Sequence, residues 1–277
     1  MSSQDIKTLQ EKYNLTYHVP YALAAEEKIG LRGKKVLEIG GSLPRDFVLG
    51  ELGAEKWVAI EEMGYYEEIR FDLKREDIFN MPDVTDVDQL GDYAVVSGRA
   101  EQLTPAFSEK FDAIFSIAAF EHIDRLPAAL SRMHQALKPG GRLFTMFSPI
   151  WSAYDGHHLH GVTDKKGNVF SFGNSPIPPW GHLLMRPPQM YEHLLSYTDA
   201  ETAAEIVYHV YNSPAINRLF TEDYVEYFKS SPFKIDTIMA TFSRKPSEDI
   251  ERRLQTLFPG RQRFDNNGLL VMLSRQS

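Results

Sequence analysis

The 277-residue sequence contains no cysteine. Disulfide bridges, thiolate metal sites and cysteine nucleophiles are therefore excluded. Positive charge is also scarce, with 30 Lys and Arg against 38 Asp and Glu, and the net charge of -8 disfavours an extended surface for nucleic-acid phosphates. No apolar run approaches the roughly 20 residues of a membrane span, and the polar N-terminus leads to no secretory core. We expect a cytoplasmic protein with neither a nucleic-acid nor a membrane partner.

The sequence does contain enough apolar residues for a large core. Hydrophobic residues make up 43% of the chain and charged residues 25%, as in ordinary globular proteins. Strands are predicted from short β-prone runs at about 34–39, 57–60, 93–96, 111–117 and 142–147. Helices are predicted at 4–13, 20–29, 44–53 and 125–137. This alternation predicts repeated βαβ units, with a ligand site beyond the carboxyl ends of the strands.

The most informative segment is Lys-Val-Leu-Glu-Ile-Gly-Gly at residues 35–41. It predicts a buried strand that ends in an acidic residue, Glu38, and continues directly into Gly40 and Gly41. Glycine permits positive φ values and a close approach of the backbone to a ligand that a Cβ would obstruct. A crevice for a polar ligand is therefore expected near residue 40.

Four further motifs follow in order along the first half of the chain. They are Glu61 after the second strand, Gly98 to Leu103 after the third, Phe111 to Ile123 through the fourth, and Leu137 to Gly141 before the fifth. Together with Val36 to Gly41, their order and spacing over roughly residues 30–148 resemble the class I S-adenosylmethionine-dependent methyltransferases. The resemblance implies an α/β fold with a Rossmann-like, doubly wound, mostly parallel sheet of seven strands. Its final antiparallel hairpin is expected at Phe233–Phe242 and Gly268–Ser274.

The resemblance also implies S-adenosyl-L-methionine as the cofactor. Glu38 and Gly40 would face its methionine part, and Glu61 would accept hydrogen bonds from both ribose hydroxyls. The full set of implied cofactor-binding residues is Glu38, Gly40, Gly41, Glu61, Arg99, Ala100, Glu101, Ser116 and Ile117.

Three features depart from the family pattern. Ser42 and Pro44 stand where later glycines of the turn are usual, and Arg99 replaces an aspartate that accepts from the adenine amino group, which a guanidinium cannot do. The acidic segment between Glu61 and the third strand is long for a crossover, and we expect a solvated insertion there. These departures leave open a catalytically silent binding or regulatory relative. A nicotinamide oxidoreductase is poorly supported, because the turn lacks G-x-G-x-x-G spacing.

Composition changes sharply over residues 148–190, which hold six prolines, two tryptophans and four histidines. A long irregular segment after the fifth strand is typical of a functional loop, and we expect a substrate-binding cap. A helical segment at about 200–229 would complete it. The expected substrate-binding residues are Trp151, Trp180 and Tyr211. The predicted division is a cofactor-binding core at 1–148, the cap at 149–230, and C-terminal strands at 231–277.

Methyl transfer is an in-line displacement that mainly requires orientation of the acceptor, and a hydroxyl acceptor also needs its proton removed. Histidine suits that role near neutral pH. The candidate bases are His157, His158 and His160, with His158 preferred and His182 as a substitute. The same cluster could instead hold a metal with Asp155 or Asp164, or serve only to brace the loop; the preferred interpretation has no metal. The sequence thus predicts methyl transfer to a small-molecule acceptor, with oxygen favoured over nitrogen or carbon.

Overall fold

The computed structural model describes residues 3–41, 43–70 and 78–276. Ten strands lie within those ranges, and two of them, β7 and β8, form a separate pair. In chain order the strands are β1 (Lys35–Ile39), β2 (Lys56–Glu61), β3 (Ile78–Asn80), β4 (Tyr93–Ser97), β5 (Phe111–Ile117), β6 (Leu137–Phe147), β7 (Val162–Thr163), β8 (Val169–Phe170), β9 (Lys234–Thr241) and β10 (Gly268–Ser274). Ser42, one of the departures from the family's glycine turn, lies outside the described residues.

The central sheet has the strand order β3-β4-β2-β1-β5-β6-β10-β9. Strand β1 pairs in parallel with β2 and β5, whereas β10 runs antiparallel to both β6 and β9. The predicted Rossmann-like, mostly parallel sheet with an antiparallel final pair is therefore confirmed.

The segment between β2 and β4 differs from the expectation of a solvated insertion. It supplies β3, an eighth strand that pairs in parallel with β4 at the edge of the sheet. Met81, Val84 and Val87 from the same segment are buried in the core, so its acidic residues alternate with apolar anchors. The acidic composition concealed those anchors, because they are too far apart to form a recognisable apolar run.

Nine α-helices lie within the described ranges. They are α1 (Ser3–Tyr13), α2 (His18–Ile29), α3 (Met63–Glu68), α4 (Leu126–Ala136), α5 (Gly181–Leu184), α6 (Pro187–Leu194), α7 (Ala200–Tyr211), α8 (Thr221–Ser230) and α9 (Glu248–Leu257). The helices predicted at 4–13, 20–29 and 125–137 are confirmed, and α7 and α8 account for the predicted helical segment at 200–229. The helix predicted at 44–53 is instead one wide π-helical turn, Asp46–Glu51, which follows Pro44.

Different helices cover the two faces of the sheet, as the alternation of side chains along a strand requires. Leu37 and Ile39 of β1 share a buried cluster with Leu130 of α4. Val36 belongs to a second cluster on the opposite face, which includes Ala22 of α2. Strand β1 is thus packed between two helical layers. This packing fixes the position of its carboxyl end, where the parallel strands of the sheet terminate.

A third buried cluster lies outside the sheet. It joins Trp151, Trp180 and Ile206 of the predicted cap with Leu254 of α9 and with Phe264. The cap therefore packs against residues from the C-terminal segment as well as within itself. The predicted boundaries at 148 and 230 stay a prediction. Among the described residues, no helix is both long and apolar enough to cross a membrane.

Candidate active site

A crevice of about 620 Å³ opens where β1, β2, β4 and β5 reach their carboxyl ends. We call it the sheet-edge crevice. From the strand ends it is lined by Glu38 to Gly41, Ile60 to Glu62, Gly98 to Glu101, and Ile117 to Ala119. From the surrounding helices and loops it is lined by residues that include Tyr17, His18, Tyr65, Tyr66 and His122.

Glu38 occupies the floor of the sheet-edge crevice and is almost fully buried. Its carboxylate accepts a hydrogen bond from the indole N–H of Trp57 at 2.6 Å and from the backbone N–H of Leu43 at 3.1 Å. These charged hydrogen bonds offset the cost of burying a carboxylate and fix its position. The carboxyl group predicted for this end of the crevice is therefore held in a fixed position.

Gly40 and Gly41 bring backbone close to Glu38 and to the loop after β5. Gly40 has φ +69°, and a Cβ built there would lie 2.3 Å from the Cβ of Ala119. A Cβ on Gly41 would lie 2.9 Å from a carboxylate oxygen of Glu38. Both positions are tight, so the crevice keeps its shape only with glycine there.

Glu61, at the end of β2, is only 2% exposed and lines the same crevice. The hydroxyl of Tyr66 lies 3.1 Å from each of its carboxylate oxygens and donates to them. Glu61 thus already accepts a hydroxyl donor inside the crevice.

The opposite wall of the crevice comes from the segment after β4. Ala100 is buried there, and Arg99 forms an ion pair of 2.6 Å with Glu62. Arg99 is half exposed, so this pair contributes little to stability. The guanidinium of Arg99 is turned toward Glu62.

A second cavity of about 200 Å³ adjoins the crevice, and we call it the inner cavity. Both spaces are lined by Tyr17, Tyr65, Ala118 and His122, so these residues form their common wall. The remaining lining of the inner cavity is Ile69, Glu121, Ser148, Pro149, His158, His160, Phe172 and Ala215. Residues of the predicted cap, including His158, His160 and Phe172, therefore line a space next to the strand ends.

Three ionisable groups converge on the inner cavity. Ligand atoms of Glu121, His122 and His158 all lie within 4.8 Å of one another. Burial raises the pKa of Glu121 to about 8, although the backbone N–H of Ser148 donates to this carboxylate and opposes the shift. Burial also lowers the pKa of His122 to about 4, so this imidazole is neutral at pH 7.

A methyltransferase-domain family model matches residues 57–145 of the sequence. The chain contains a methyltransferase domain. The predicted class, an S-adenosylmethionine-dependent methyltransferase, is thereby confirmed together with its cofactor. No curated protein matches the sequence.

Two solved structures illustrate what the methyltransferase is similar to. An S-adenosylmethionine-dependent methyltransferase from Mesorhizobium loti has 12% identity and a TM-score of 0.49, covering 95% of this chain and 100% of its own. Geranyl diphosphate C-methyltransferase from Streptomyces coelicolor has 12% identity and a TM-score of 0.47, covering 99% of this chain and 84% of its own. At these values neither structure adds to the assignment.

The donor and acceptor set of the sheet-edge crevice fits S-adenosylmethionine. The cofactor carries an ammonium group and ribose hydroxyls as donors, and the crevice offers the buried carboxylates of Glu38 and Glu61 to receive them. Its volume also lies within the usual range of small-molecule sites, roughly 300–1,000 Å³. Of the predicted cofactor-binding residues, Gly40, Gly41, Arg99, Ala100, Glu101 and Ile117 also line it.

Ser116 is placed differently from the other predicted cofactor-binding residues. It is fully buried, and its hydroxyl donates to the carbonyl of Ile39 at 2.9 Å. The side chain therefore ties β5 to β1 beneath the crevice. The sequence pattern could not separate these positions, because neighbouring residues of one strand end alternate between faces.

The four predicted catalytic histidines of the methyltransferase do not gather at one point. His158 and His160 line the inner cavity. His157 accepts from the backbone N–H of Leu159, and His182 donates to the carbonyl of Trp151 at 2.7 Å. The latter two are buried and brace the cap.

The predicted substrate-binding aromatics lie within or beside the cap's own core. Trp151 and Trp180 are buried in the third cluster, and the indole N–H of Trp180 donates to the carbonyl of Phe264. The hydroxyl of Tyr211 donates to the carbonyl of Met185. Tyr17, Tyr65 and Phe172 line the inner cavity in their place.

The acids that could have joined a histidine metal site are engaged elsewhere. Asp164 accepts hydrogen bonds from Lys166 and Asn168 of its own turn, and Asp155 accepts one from Asn267. The carboxylate that does meet the histidines is Glu121, which directly follows Phe120 in the loop after β5. The Glu-His pair at 121–122 was the available sequence signal, but its partner His158 is distant in sequence.

Because His182 is buried, we expect the free energy of unfolding to fall in acid. Burial, together with the nearby His157, lowers the pKa of His182 to about 3, and its hydrogen bond to Trp151 only partly opposes this. The unfolded side chain titrates near 6.5, so protons favour the unfolded state as the pH falls from about 6.5 toward 3. We expect His182→Gln to flatten this decline in the free energy of unfolding, measured by urea titration at several pH values. His157, whose pKa is lowered to about 4, keeps part of the slope. Equal slopes for both proteins would contradict the assignment.

A larger groove, of about 700 Å³, lies between α5, α6 and α9. Its charged lining residues are Arg186, Asp249, Arg252 and Arg253. It shares no lining residue with the sheet-edge crevice, and its Arg186, Arg252 and Arg253 are exposed. The convergence of strand ends, rather than volume, therefore makes the sheet-edge crevice the candidate active site.

Proposed function

We propose that the methyltransferase methylates a hydroxyl group of a small, planar acceptor bound in the inner cavity. The observation that carries the proposal is the common wall of the two spaces, formed by Tyr17, Tyr65, Ala118 and His122. An acceptor in the inner cavity would lie next to the cofactor in the sheet-edge crevice. Transfer between adjoining sites needs no movement of either reactant through solvent.

The dimensions and lining of the inner cavity support the acceptor class. A volume of about 200 Å³ suits a single ring. The rings of Tyr17, Tyr65 and Phe172 offer flat apolar surface. A phenol- or enol-like compound meets both conditions.

The chain's own residues would bind the reactants, exclude water and remove the acceptor's proton. Glu38 and Glu61 would hold the cofactor, and burial of the inner cavity would keep water from the acceptor oxygen. When bound, S-adenosylmethionine supplies a methyl group whose C–S bond breaks as the new O–C bond forms, with the bonding pair passing to sulfur. The acceptor's proton would go to a neutral histidine nitrogen in the inner cavity.

Two of the predicted histidines, His158 and His160, line the inner cavity and would take that proton. The Nδ1–H of His158 donates to the carbonyl of Gly156, so its Nε2 carries the lone pair. His160 lines the same cavity, and its pKa is lowered to about 4 mainly by burial, so it is neutral at pH 7. Either nitrogen is available as an acceptor without prior loss of a proton. The cytoplasmic location stays a prediction from the sequence.

The test is methyl transfer from labelled S-adenosylmethionine to a panel of phenols, catechols and enols, with amines and carbon acids as comparison acceptors. We expect labelled product from hydroxyl compounds and a roughly 100-fold or larger loss of transfer for His160→Ala or His158→Ala. His157→Ala and His182→Ala are matched controls, because those histidines do not line the inner cavity; their activity per folded molecule should stay within a few-fold. Labelling confined to amines or carbon acids, or equal losses in all four variants, would contradict the proposal.

A further inference from the structure

The loop after β5 and the cap together build a cluster with the composition of a metal centre. It consists of one carboxylate, from Glu121, and two imidazoles, from His122 and His158. Their ligand atoms lie within 4.8 Å of one another around the inner cavity. Two histidines and one carboxylate with an open side are a recurrent ligand set for zinc and ferrous iron.

Both imidazoles have the orientation that metal-bound histidines require. His122 uses Nδ1 toward the carbonyl of Ala215 at 2.5 Å, and His158 uses Nδ1 toward the carbonyl of Gly156 at 3.1 Å. A carbonyl oxygen can only accept, so each Nδ1 carries the proton and each Nε2 carries the lone pair. Backbone carbonyls that fix the tautomer in this way are the usual outer partners of metal-ligating histidines.

Two ligand atoms of the cluster are buried without partners among the described residues. The Oε2 atom of Glu121 and the Nε2 atom of His158 are each shielded from solvent, and neither accepts a hydrogen bond. Glu121 itself is 1% exposed. An unpaired buried carboxylate oxygen and an unpaired imidazole lone pair both cost free energy, and a cation between them would satisfy both.

The charges around the cluster favour a cation over an anion. Within the inner cavity the described lining residues include no lysine or arginine, and the other polar groups are Tyr17, Tyr65, Ser148 and His160. No cationic side chain of the described lining therefore competes with a metal ion for the Glu121 carboxyl. A ligand set with two imidazole nitrogens disfavours magnesium and calcium, which prefer oxygen ligands.

We infer that Glu121, His122 and His158 together bind one divalent transition-metal ion, of the zinc or ferrous type, at the inner cavity. This metal site differs from the preferred interpretation of the sequence, which has no metal. It also differs from the alternative interpretation, because the carboxylate ligand is Glu121 and not Asp155 or Asp164. Its role rests on the proposed function: an acceptor hydroxyl bound to the ion would lose its proton more easily. His160 then remains as the histidine that takes this proton, since His158 is committed to the metal.

Metal binding is tested directly on the full chain after treatment with a chelator and dialysis. Calorimetric titration with Zn²⁺ should give one site per chain with a dissociation constant in the micromolar range or tighter. Titration with Co²⁺ should give visible absorption bands of a low-coordinate nitrogen and oxygen site. Glu121→Gln and His158→Ala should each weaken Zn²⁺ binding at least roughly tenfold.

His157→Ala and His182→Ala are the controls, and their Zn²⁺ affinity should equal that of the wild type. Circular dichroism of each variant separates lost binding from lost folding, and Glu121→Gln preserves side-chain shape. No Zn²⁺ binding by folded wild-type protein, or unchanged binding by the Glu121 and His158 variants, would overturn the metal site. Calorimetry with S-adenosylhomocysteine on the same sample reports the cofactor crevice separately, so a failure of the proposed function is distinguishable from a failure of the metal site.

Discussion

Replacing Glu61 by alanine is expected to weaken the binding of S-adenosylhomocysteine roughly 100-fold or more. The carboxylate is buried at the end of β2 and already accepts the hydroxyl of Tyr66 at both oxygens. Ribose hydroxyls would present the same kind of donor. Hydrogen bonds to a charged group contribute about 1.5 to 3 kcal/mol each, and each 1.4 kcal/mol is about tenfold in the dissociation constant.

Two further variants make this test specific. Glu61→Gln keeps one acceptor oxygen without the charge, so its affinity should lie between those of the wild type and Glu61→Ala. Tyr66→Phe removes the internal donor and leaves Glu61 in place, so affinity should be retained or improved. Calorimetry measures all three, with thermal melts as a check on folding. Wild-type affinity in Glu61→Ala would remove Glu61 from the cofactor site.

Replacing Gly40 by alanine is expected to lower the free energy of unfolding by about 2 to 6 kcal/mol and to abolish cofactor binding. Two costs add at this position. The backbone has φ +69°, which a residue with a Cβ adopts at a cost of about 1 to 3 kcal/mol. The new Cβ would also lie 2.3 Å from that of Ala119, and overpacking costs typically about 1 to 3 kcal/mol more.

Gly33 provides a matched control for the backbone contribution. It has φ +68°, yet a Cβ there would meet nothing within 4 Å. Gly33→Ala should therefore lower the free energy of unfolding only by the cost of a positive φ, and the variant should still bind the cofactor. Adding Ala119→Gly to Gly40→Ala should restore part of the loss by removing the clashing methyl. Urea unfolding gives the free energies, and equal destabilisation by Gly40→Ala and Gly33→Ala would contradict the packing argument.

The core of the fold was predictable because its signals are local. An apolar run followed by glycine predicts strand β1. Leu126, Leu130 and Met133, at helical spacing, predict α4. The eighth strand was missed, because Ile78–Asn80 is only three residues long and half-exposed at a sheet edge. A strand that short is determined by its partner β4 rather than by its own sequence.

The sheet-edge crevice and the inner cavity also differ in how far local sequence predicts them. Glu38 and Glu61 follow directly from strand ends, since parallel strands bring their carboxyl termini to one edge. The inner cavity depends on long-range packing that no local pattern encodes, since Tyr17 before α2 and His158 of the cap line the same space. The aromatic and histidine content of the cap pointed to the right region, but Trp151, Trp180 and His182 serve its own core.

Binding of S-adenosylhomocysteine to the wild-type protein tests the central claim most directly. The crevice at the ends of β1, β2, β4 and β5 offers two buried carboxylates and a volume of about 620 Å³ for this ligand. Calorimetric titration should show saturable binding at one site per chain, with a dissociation constant well below about 1 mM. Absence of a binding heat from folded protein at about 1 mM ligand would contradict the assignment of the sheet-edge crevice as the cofactor site.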